Sequence, residues 1–391
     1  MDDTPLRIAM FTNNYYPFIG GVPLSIDRLT KGLRAMGHTV TIFCPKYPEQ
    51  PEPDHDPGIV RCKLLRYQKS EVYNFPIINI FSRRIHNEFV RRGFDLVHSH
   101  HPFWMGKKGY RLAKKYKLPV VFTFHTRFDQ YSHYLPVFKK FFKAYIANRF
   151  IKRFSGRCDA VFTPTQTAKD FLTDLGVKTP MDILPTGIEI GRGERDQALR
   201  ESLAPGGGVL LCTVSRLAKE KNIFFLLEGI RYIKEHTALP FRCVVVGDGP
   251  ERGEIEAFIR SSCLEDTVTL VGSVPPEEVA RYYRASDLFV YSSRSETQGM
   301  VLLEAMAGQC PVVAVSSGGV DDVIENGVNG YRTQEVTEEW AQRVIELMSD
   351  GEKRRVMSGN AYEHAKQYSA EEMAAHAAHV YRGAVAKRHG A

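Results

Sequence analysis

The sequence predicts an α/β protein with two open parallel sheets, each in its own domain. Short apolar segments alternate with amphipathic segments of helical period along the chain, which is the pattern of strands and helices around a parallel sheet. The length of 391 residues exceeds one ordinary core and suits two domains of about 150–200 residues. A polar, glycine-rich passage separates the two runs of strands, and this predicts where one domain ends and the next begins.

Each predicted strand is a short run of apolar and β-branched residues. In the first half, strands are predicted at 7–12, 39–45, 96–100, 119–125, 160–165 and about 181–185. In the second half, they are predicted at 209–215, 242–247, 268–272, 288–293 and 311–315, and the chain is predicted to be helical after about residue 335. Residues 191–196 and 204–208 have the composition of a hinge. We therefore expect an N-terminal domain at 1–190 and a C-terminal domain at 205–370.

Composition places the chain among globular proteins, with 43% hydrophobic and 25% charged residues. Its seven cysteines form no Cys-x-x-Cys pair, which favours reduced thiols in the cytoplasm over a disulfide framework or a zinc site. The acidic N-terminus leads directly into a strand, and no apolar run approaches the eighteen or so residues of a spanning helix. We expect neither a signal peptide nor a transmembrane segment.

The net charge of +7 is unevenly distributed. Residues 1–180 carry 29 Lys and Arg against 14 Asp and Glu, whereas residues 181–391 carry 23 against 31. The asymmetry predicts that the first half contacts an anionic partner and the second half does not.

The most informative segment is residues 295–308, which lies between two predicted strands. Glu296 falls in the loop after the first strand, and Glu304 falls about one turn inside the following helix. The carboxyl edge of a parallel sheet, facing a helix N-terminus, is where such folds bind phosphorylated ligands. The two carboxylates therefore indicate a site for a polyol attached to a phosphate. The alternative is a solvated helix face with one acid favouring the helix dipole.

A second basic motif follows the strand at 209–215. Arg216 and Lys221 are predicted at the same sheet edge as the two glutamates, where cations suit a diphosphate and offset charge that grows on a leaving group. The nearby turn at 247–251 fails the Gly-x-Gly-x-x-Gly fingerprint because Arg252 occupies the third position. A nicotinamide enzyme is therefore not supported.

Two motifs in the first half also point to ligands. Gly20 and Gly21 precede a helix and would allow a phosphate or sugar to approach the backbone closely, although an ordinary strand–helix turn is an equal alternative. His125 ends the strand at 119–125, and Arg127 and Tyr131 follow it in a polar, aromatic cluster. The cluster is dense enough to indicate a substrate surface, with the histidine donating to a hydroxyl or stabilising charge. A structural histidine is the alternative.

The segment 130–158 contains seven Lys and Arg and no acid. Its aromatic residues recur at helical spacing beside the cations, which is the pattern of an interfacial membrane helix. A core-packed helix with a solvated basic back is the alternative. No nucleic-acid-binding motif accompanies the basic residues, so we expect no nucleic acid partner. The candidate acceptor and membrane residues here are Phe138, Lys139, Lys140, Phe141, Phe142 and Lys143.

Taken in order, these motifs resemble the family 4 retaining glycosyltransferases of GT-B fold, over nearly the whole chain. The resemblance implies two Rossmann-like domains facing a cleft, with the acceptor in the first and the nucleotide sugar in the second. It also implies a closing helix, about residues 373–391, that crosses back to the first domain. Ser295-Glu296-Thr297-Gln298-Gly299 and the segment beginning His125-Thr126-Arg127 look most like bacterial diacylglycerol glucosyltransferases.

The resemblance further implies individual roles. Arg216 and Lys221 would hold the diphosphate, Glu304 the ribose and Glu296 the donor sugar, with His125 beside the anomeric centre. The other nucleotide-sugar-binding residues it implies are Gly20, Gly21, Val274, Gly299, Met300 and Val301.

The expected reaction is transfer of a hexose, from UDP-glucose, to diacylglycerol with α configuration, at the inner face of the cell membrane. No cofactor or metal is expected, since the nucleotide sugar is a co-substrate and cations can stabilise the leaving group. Alternatives are a soluble, polysaccharide or lipopolysaccharide acceptor, or GDP-mannose or another nucleotide sugar as donor. An epimerase, a phosphorylase and a non-catalytic binding protein are the other classes to distinguish.

Overall fold

The chain folds into two compact units, each built on one parallel sheet. The computed structural model describes residues 4–18, 20–47, 56–68, 75–78, 83–125, 148–191, 194–296 and 298–390. Unit 1 is Met1–Gly187 with Ala370–Ala391, and unit 2 is Ile188–Ser369. The passage with hinge-like composition therefore belongs to unit 2, where Arg195 and Arg200 both form ion pairs with Asp287.

The described strands and helices follow in chain order. The strands are β1 (Arg7–Phe11), β2 (Thr39–Pro45), β3 (Ile59–Cys62), β4 (Leu64–Gln68), β5 (Phe75–Ile78), β6 (Leu96–Ser99), β7 (Val120–Thr123), β8 (Ala160–Thr163), β9 (Met181–Ile183), β10 (Val209–Val214), β11 (Phe241–Val246), β12 (Val268–Gly272), β13 (Leu288–Tyr291), β14 (Val312–Val315) and β15 (Gly330–Thr333). The helices are α1 (Gly21–Ala35), α2 (Arg83–Arg92), α3 (Met105–Lys115), α4 (Gln166–Asp174), α5 (Gln197–Leu203), α6 (Ile223–His236), α7 (Arg252–Ser261), α8 (Pro276–Ala285), α9 (Met300–Ala307), α10 (Gly318–Asp321), α11 (Thr337–Ser349), α12 (Gly351–Lys366) and α13 (Ala370–His389). Residues 148–155 are also helical.

Among its described residues, unit 1 has a seven-stranded sheet in the order β3-β2-β1-β6-β7-β8-β9 and a separate antiparallel pair, β4 and β5. One face of the sheet packs on α1 and α13. Gly32 of α1 permits this packing, because a Cβ there would lie 2.6 Å from the Cβ of Ala374. The other face is rich in aromatic rings, among which Phe11 and Phe43 stack with centroids 4.6 Å apart. The closing helix thus completes the core of unit 1.

Unit 2 has a six-stranded sheet in the order β12-β11-β10-β13-β14-β15 across its described residues. Every neighbouring pair in this sheet is parallel. The fully buried Trp340 of α11 fills one face, and Gly229 of α6 admits its ring, since a Cβ there would lie 2.5 Å from it. Both faces of the central strands are buried, which explains why these strands are continuous apolar runs.

The predicted fold class is confirmed, since both units are parallel α/β layers and the last helix returns to unit 1. Two parallel edge strands, β3 and β15, were not predicted. β15 has the sequence Gly-Tyr-Arg-Thr, and Arg332 is exposed, so it lacks the apolar run that marks a central strand. In the described part of the chain, no helix combines the length and apolar character needed to cross a membrane.

Candidate active site

The carboxyl ends of β10 and β13 lie side by side in unit 2, because these strands pair directly. The loops that leave them are joined by hydrogen bonds. The Ser292 hydroxyl donates to the carbonyl of Lys221 over 2.9 Å, and the Arg294 N–H donates to the carbonyl of Glu220 over 3.0 Å. The basic loop after β10 and the acidic loop after β13 therefore form one rigid edge.

Lys221 and Glu296 meet at this edge as an ion pair. Tyr291, the last residue of β13, joins them: its hydroxyl donates to Glu296 Oε1 over 2.5 Å and accepts from Lys221 Nζ over 3.2 Å. The Tyr291 side chain is 2% exposed, and burial together with the nearby Glu296 carboxylate raises the pKa of its phenol. The phenol therefore stays protonated and serves as a fixed donor to Glu296.

Arg216 lies at the start of the same basic loop and behaves differently. Its side chain is exposed and has no ion pair or hydrogen bond among the residues that the structure describes. The backbone beneath it is fixed, since the Leu217 N–H donates to the carbonyl of Asp248 over 3.0 Å. Arg216 is therefore a cation held at the sheet edge and available to an anion.

The turn at 247–249 packs against this basic loop. Gly247 has φ +131°, and a Cβ there would lie 1.9 Å from the carbonyl oxygen of Ser215. A Cβ on Gly249 would lie 2.2 Å from the carbonyl oxygen of Leu217. Both glycines are accounted for by close backbone packing, so this turn needs no nucleotide to explain it.

Helix α9 begins at the same edge, after Gly299. This glycine has φ +69°, in the left-handed region, and a Cβ there would lie 2.9 Å from the carbonyl oxygen of Gly319. The N–H groups of Met300 and Val301 have no acceptor among the described residues, as expected for the first turn of a helix. Glu304 is half-buried one turn further on and helps to raise the pKa of Tyr283, after the larger effect of burial. Val274 follows β12 and is half-buried against the core.

Unit 1 has its own cluster of polar groups at the ends of β6 and β7. His100 Nδ1 lies 2.9 Å from His125 Nε2, and the His98 and His100 rings have centroids 4.1 Å apart. Burial lowers the pKa of His98 to about 3 and that of His101 to about 4. Burial also lowers the pKa of His100 and His125 well below the ordinary value. These imidazoles are therefore neutral near pH 7.

Gly20 and Gly21 lie where α1 begins, and only Gly21 has open space around it. A Cβ on Gly21 would meet nothing within 4 Å, and one on Gly20 would lie 3.2 Å from the Phe18 ring. Gly20 has φ 171°, an extended conformation open to any residue. Neither the packing nor the backbone of these described residues demands glycine at 21, which leaves space for a ligand.

The acceptor and membrane residues predicted in the segment 126–147 lie outside the described residues. They are Arg127, Tyr131, Phe138, Lys139, Lys140, Phe141, Phe142 and Lys143. For metals, the described part of the chain contains no group of three or more His, Cys, Asp or Glu side chains arranged to hold an ion.

Sequence reasoning missed Tyr291 and His100. A tyrosine inside an apolar strand looks like a core residue, and the ring of Tyr291 is one, stacked on Phe289 at 5.6 Å. Its position as the last strand residue, five before Glu296, is the signal that could have been used. His100 was not predicted, because the ligand contact was assigned to His125, at the end of the next strand.

Two family models match the chain. Glycosyltransferase Family 4 matches residues 19–192, and Glycosyl transferases group 1 matches residues 194–364. A protein named alpha-monoglucosyldiacylglycerol synthase from Acholeplasma laidlawii is 29% identical over 94% of this chain and 94% of its own length. The protein of that name from Streptococcus pneumoniae is 30% identical over 83% of this chain and 74% of its own length.

Solved structures agree on the fold. A sucrose-phosphate synthase from Thermosynechococcus elongatus superimposes with a TM-score of 0.77 at 21% identity, covering 98% of this chain and all of the other. The Anabaena protein HepE, in complex with UDP and glucose, superimposes with a TM-score of 0.73 at 18% identity, over 97% of this chain and all of the other. The chain therefore belongs to the GT-B glycosyltransferases, with a family 4 domain followed by a group 1 domain, and is a nucleotide-sugar-dependent hexosyltransferase.

Proposed function

We propose that the chain transfers glucose from UDP-glucose to diacylglycerol at an anionic membrane surface, with retention of the α configuration. The contact of Lys221 with Glu296 carries the proposal, because it joins a cation suited to a diphosphate with a carboxylate suited to sugar hydroxyls. The two relatives named alpha-monoglucosyldiacylglycerol synthase support this hexose and this acceptor.

In this proposal, Arg216 and Lys221 bind the diphosphate and stabilise the charge that it gains as the glycosidic bond breaks. Lys221 is paired with Glu296 in the free chain. An incoming diphosphate takes over the ammonium group, and Glu296 then accepts hydrogen bonds from the hexose. Glu304 accepts from the ribose hydroxyls. The N–H groups at the start of α9, after Gly299, donate to a phosphate.

The bond that breaks joins the anomeric carbon to the diphosphate, and the sugar passes through an oxocarbenium-like state. The acceptor hydroxyl attacks from the face that the diphosphate leaves, and the diphosphate takes the hydroxyl proton. His125 donates to the hexose, and the space at Gly20 and Gly21 admits the phosphate. Catalysis is then mainly orientation and charge stabilisation.

The membrane part of the proposal is supported by the basic face of α3. Lys107, Lys108, Arg111 and Lys114 have no ion pair among the described residues. Partial burial lowers the pKa of Lys108, and the cations of Arg111 and Lys115 lower it further. Binding to an anionic surface would relieve this mutual repulsion. The attraction of each cation to such a membrane is worth about 1 kcal/mol.

The reaction is tested with the full chain and vesicles that contain diacylglycerol. We expect a glucolipid from UDP-glucose, with an α anomeric linkage by proton NMR, and a much slower reaction with GDP-mannose or with a soluble polyol. A relative named GDP-mannose-dependent alpha-mannosyltransferase, 28% identical over 93% of this chain, makes that donor the necessary comparison. Preference for GDP-mannose, or a product only with soluble acceptors, would contradict the proposal.

The membrane part is tested with a triple variant, K108A/R111A/K114A. The affinity for anionic vesicles, measured by co-sedimentation, should fall about 100-fold, because each of the three lost cations contributes about 1 kcal/mol. Activity on detergent-dispersed diacylglycerol should stay normal. The control triple R231A/R355A/K366A removes the same charge from residues that are already paired with glutamates. Equal weakening in both triples would show that only net charge matters and would remove α3 from the proposal.

A further inference from the structure

The histidines of unit 1 can be assigned tautomers from their partners. β6 and β7 are neighbours in the sheet, so the residues after their ends share one corner. His100 is 2% exposed and His125 is partly exposed. Their rings are nearly parallel, 24° apart, and are joined by the 2.9 Å contact from Nδ1 of His100 to Nε2 of His125. Because a neutral imidazole has one N–H and one acceptor nitrogen, only one of the two can donate across this contact.

The tautomer of His98 can be assigned from its two buried hydrogen-bond partners. Its Nδ1 lies 2.7 Å from the hydroxyl of Tyr381, and its Nε2 lies 2.7 Å from the hydroxyl of Thr123. Tyr381 is fully buried and has no other acceptor among the described residues. Its proton must therefore go to Nδ1, which leaves His98 with its own proton on Nε2.

His101 is assigned by the same reasoning. The backbone N–H of Asn13 donates to His101 Nδ1 over 3.2 Å, and a backbone amide can only donate. His101 therefore carries its proton on Nε2 as well. Both histidines provide internal references for the pair at the corner.

The pair formed by His100 and His125 has two arrangements. If His125 donates, His100 must carry its proton on Nε2, which is buried and has no partner among the described residues. If His100 donates from Nδ1, only a lone pair is left unpartnered at that nitrogen. Buried N–H groups without an acceptor are the rarer defect, so the second arrangement is favoured.

We propose that His100 is a positioning residue that fixes His125 in the tautomer with its proton on Nδ1. His125 Nε2 is then occupied by His100, and Nδ1–H is the group that His125 offers to a substrate. His125 acts as a neutral hydrogen-bond donor to an oxygen of the hexose, and it takes up no proton during the reaction. The assignment of the oxygen rests on the proposed function, whereas the tautomer belongs to the free protein.

The tautomers are read from long-range proton–nitrogen NMR spectra of the full chain labelled with ¹⁵N-histidine. The His125 signals are identified by their loss in H125N. We expect the Nδ1–H pattern for His125 and the Nε2–H pattern for His98 and His101 in the same spectrum. An Nε2–H pattern for His125 would overturn the proposal, whatever donor or acceptor the enzyme uses.

A matched pair of variants tests the consequence for turnover. H100N keeps a donor toward His125 and should retain kcat within about threefold, whereas the isosteric H100D offers only an acceptor and should lower kcat about 100-fold, the size of a lost catalytic hydrogen bond. The donor KM should rise in H100D and stay near the parent value in H100N, because His125 contacts the hexose of the bound donor in our proposal. Equal losses in H100N and H100D would contradict the positioning role. If the chain proves inactive on UDP-glucose while the Nδ1–H pattern is present, the proposed function fails and the tautomer stands.

Discussion

The carboxyl edges of the two sheets follow one plan and hold opposite kinds of polar group. In unit 2, the edge has a charged pair, Lys221 with Glu296, and an exposed cation, Arg216. In unit 1, the edge has four histidines, buried or partly buried, whose pKa values lie below the ordinary value of 6.5, so they are neutral near pH 7. Both edges are formed by the ends of parallel strands, and the polar groups on them differ in side-chain type and burial.

In both units the fold places polar side chains at the carboxyl edge of the sheet. Burial then determines whether those side chains are charged or neutral. A charged group remains charged in unit 2 because it is paired or solvated. Histidines in unit 1 lose their charge because desolvation outweighs any partner. In our proposal, the cations at the edge of unit 2 therefore bind the diphosphate, whereas the neutral histidines at the edge of unit 1 suit hydroxyl groups.

The largest effect we predict is a selective loss of stability of unit 1 in acid. His98 and His101 have folded pKa values of about 3 and about 4, below the unfolded value of 6.5. The unfolded chain therefore binds more protons below pH 6.5, so their stabilising contribution is complete above that pH and is lost as pH falls toward the folded values. When the pH is lowered from 7.5 to 5, His98 and His101 should each lower the free energy of unfolding by roughly 2 kcal/mol.

Two tryptophans allow this to be measured unit by unit. Trp104 precedes α3 in unit 1, and Trp340 lies in α11 of unit 2, so W340F and W104F each leave one reporter. In unit 2, burial lowers the pKa of His364. Urea unfolding followed by Trp104 fluorescence should shift much more on acidification than unfolding followed by Trp340. Equal shifts would contradict the contrast between the two units.

The second prediction removes the charged pair of unit 2. K221A should lower kcat about 1000-fold, because a cation that stabilises the leaving diphosphate is lost. It should also lower the free energy of unfolding by about 1–3 kcal/mol, since the Glu296 side chain is only 12% exposed and loses its ionic partner. K219A, in the same Lys219–Lys221 turn but exposed, is the control and should match the parent. Normal nucleotide release by K221A would exclude Lys221 from the chemistry.

Much of the fold could be predicted from sequence because buried parallel strands are apolar runs. β13 and β14 are examples, with every residue buried. The edge strand β15 could not be found in this way, because one side of an edge strand faces water and polar residues such as Arg332 are tolerated there. The compact units divide between Gly187 and Ile188, ahead of the glycine-rich passage. Glycine content does not reveal that Arg195 and Arg200 of this passage pair with Asp287.

The candidate site was predictable at the level of its loops. Glu296 and Lys221 were expected at one edge, and the structure brings them into contact. His100 could not be assigned, because its role depends on His125, 25 residues away in sequence, and the contact of Tyr291 with Lys221 spans 70 residues. Contacts of this range depend on sheet register, which the local pattern does not contain.

The third prediction separates catalysis from stability. R216A should lower kcat about 100-fold, by loss of one charge-stabilising group. It should leave the free energy of unfolding unchanged, because the Arg216 side chain is exposed and has no partner among the described residues. We would measure kcat and urea unfolding on the same preparation of each variant. K221A should lose both activity and stability, whereas R216A should lose activity alone. A destabilised R216A would show that this cation belongs to the structure of the edge.

The smallest predicted effect concerns two buried tyrosines of unit 2 that differ in one hydrogen bond. The hydroxyl of Tyr291 donates to Glu296, whereas the hydroxyl of Tyr283 has no partner among the described residues. Y291F should raise the KM for the donor sugar about tenfold, which corresponds to about 1.4 kcal/mol, because Glu296 loses the phenol that orients it.

Inhibition by free UDP should change less in Y291F, since UDP lacks the hexose that Glu296 contacts in our proposal. Y283F removes an unpaired buried hydroxyl and should leave KM unchanged, with stability equal to or slightly above the parent. Both variants keep the ring and its packing, so a KM effect common to the two would come from the core and not from Glu296. A KM effect confined to Y291F would show that the buried, neutral Tyr291 orients Glu296 in unit 2. His100 has the corresponding role toward His125 in unit 1 in our proposal.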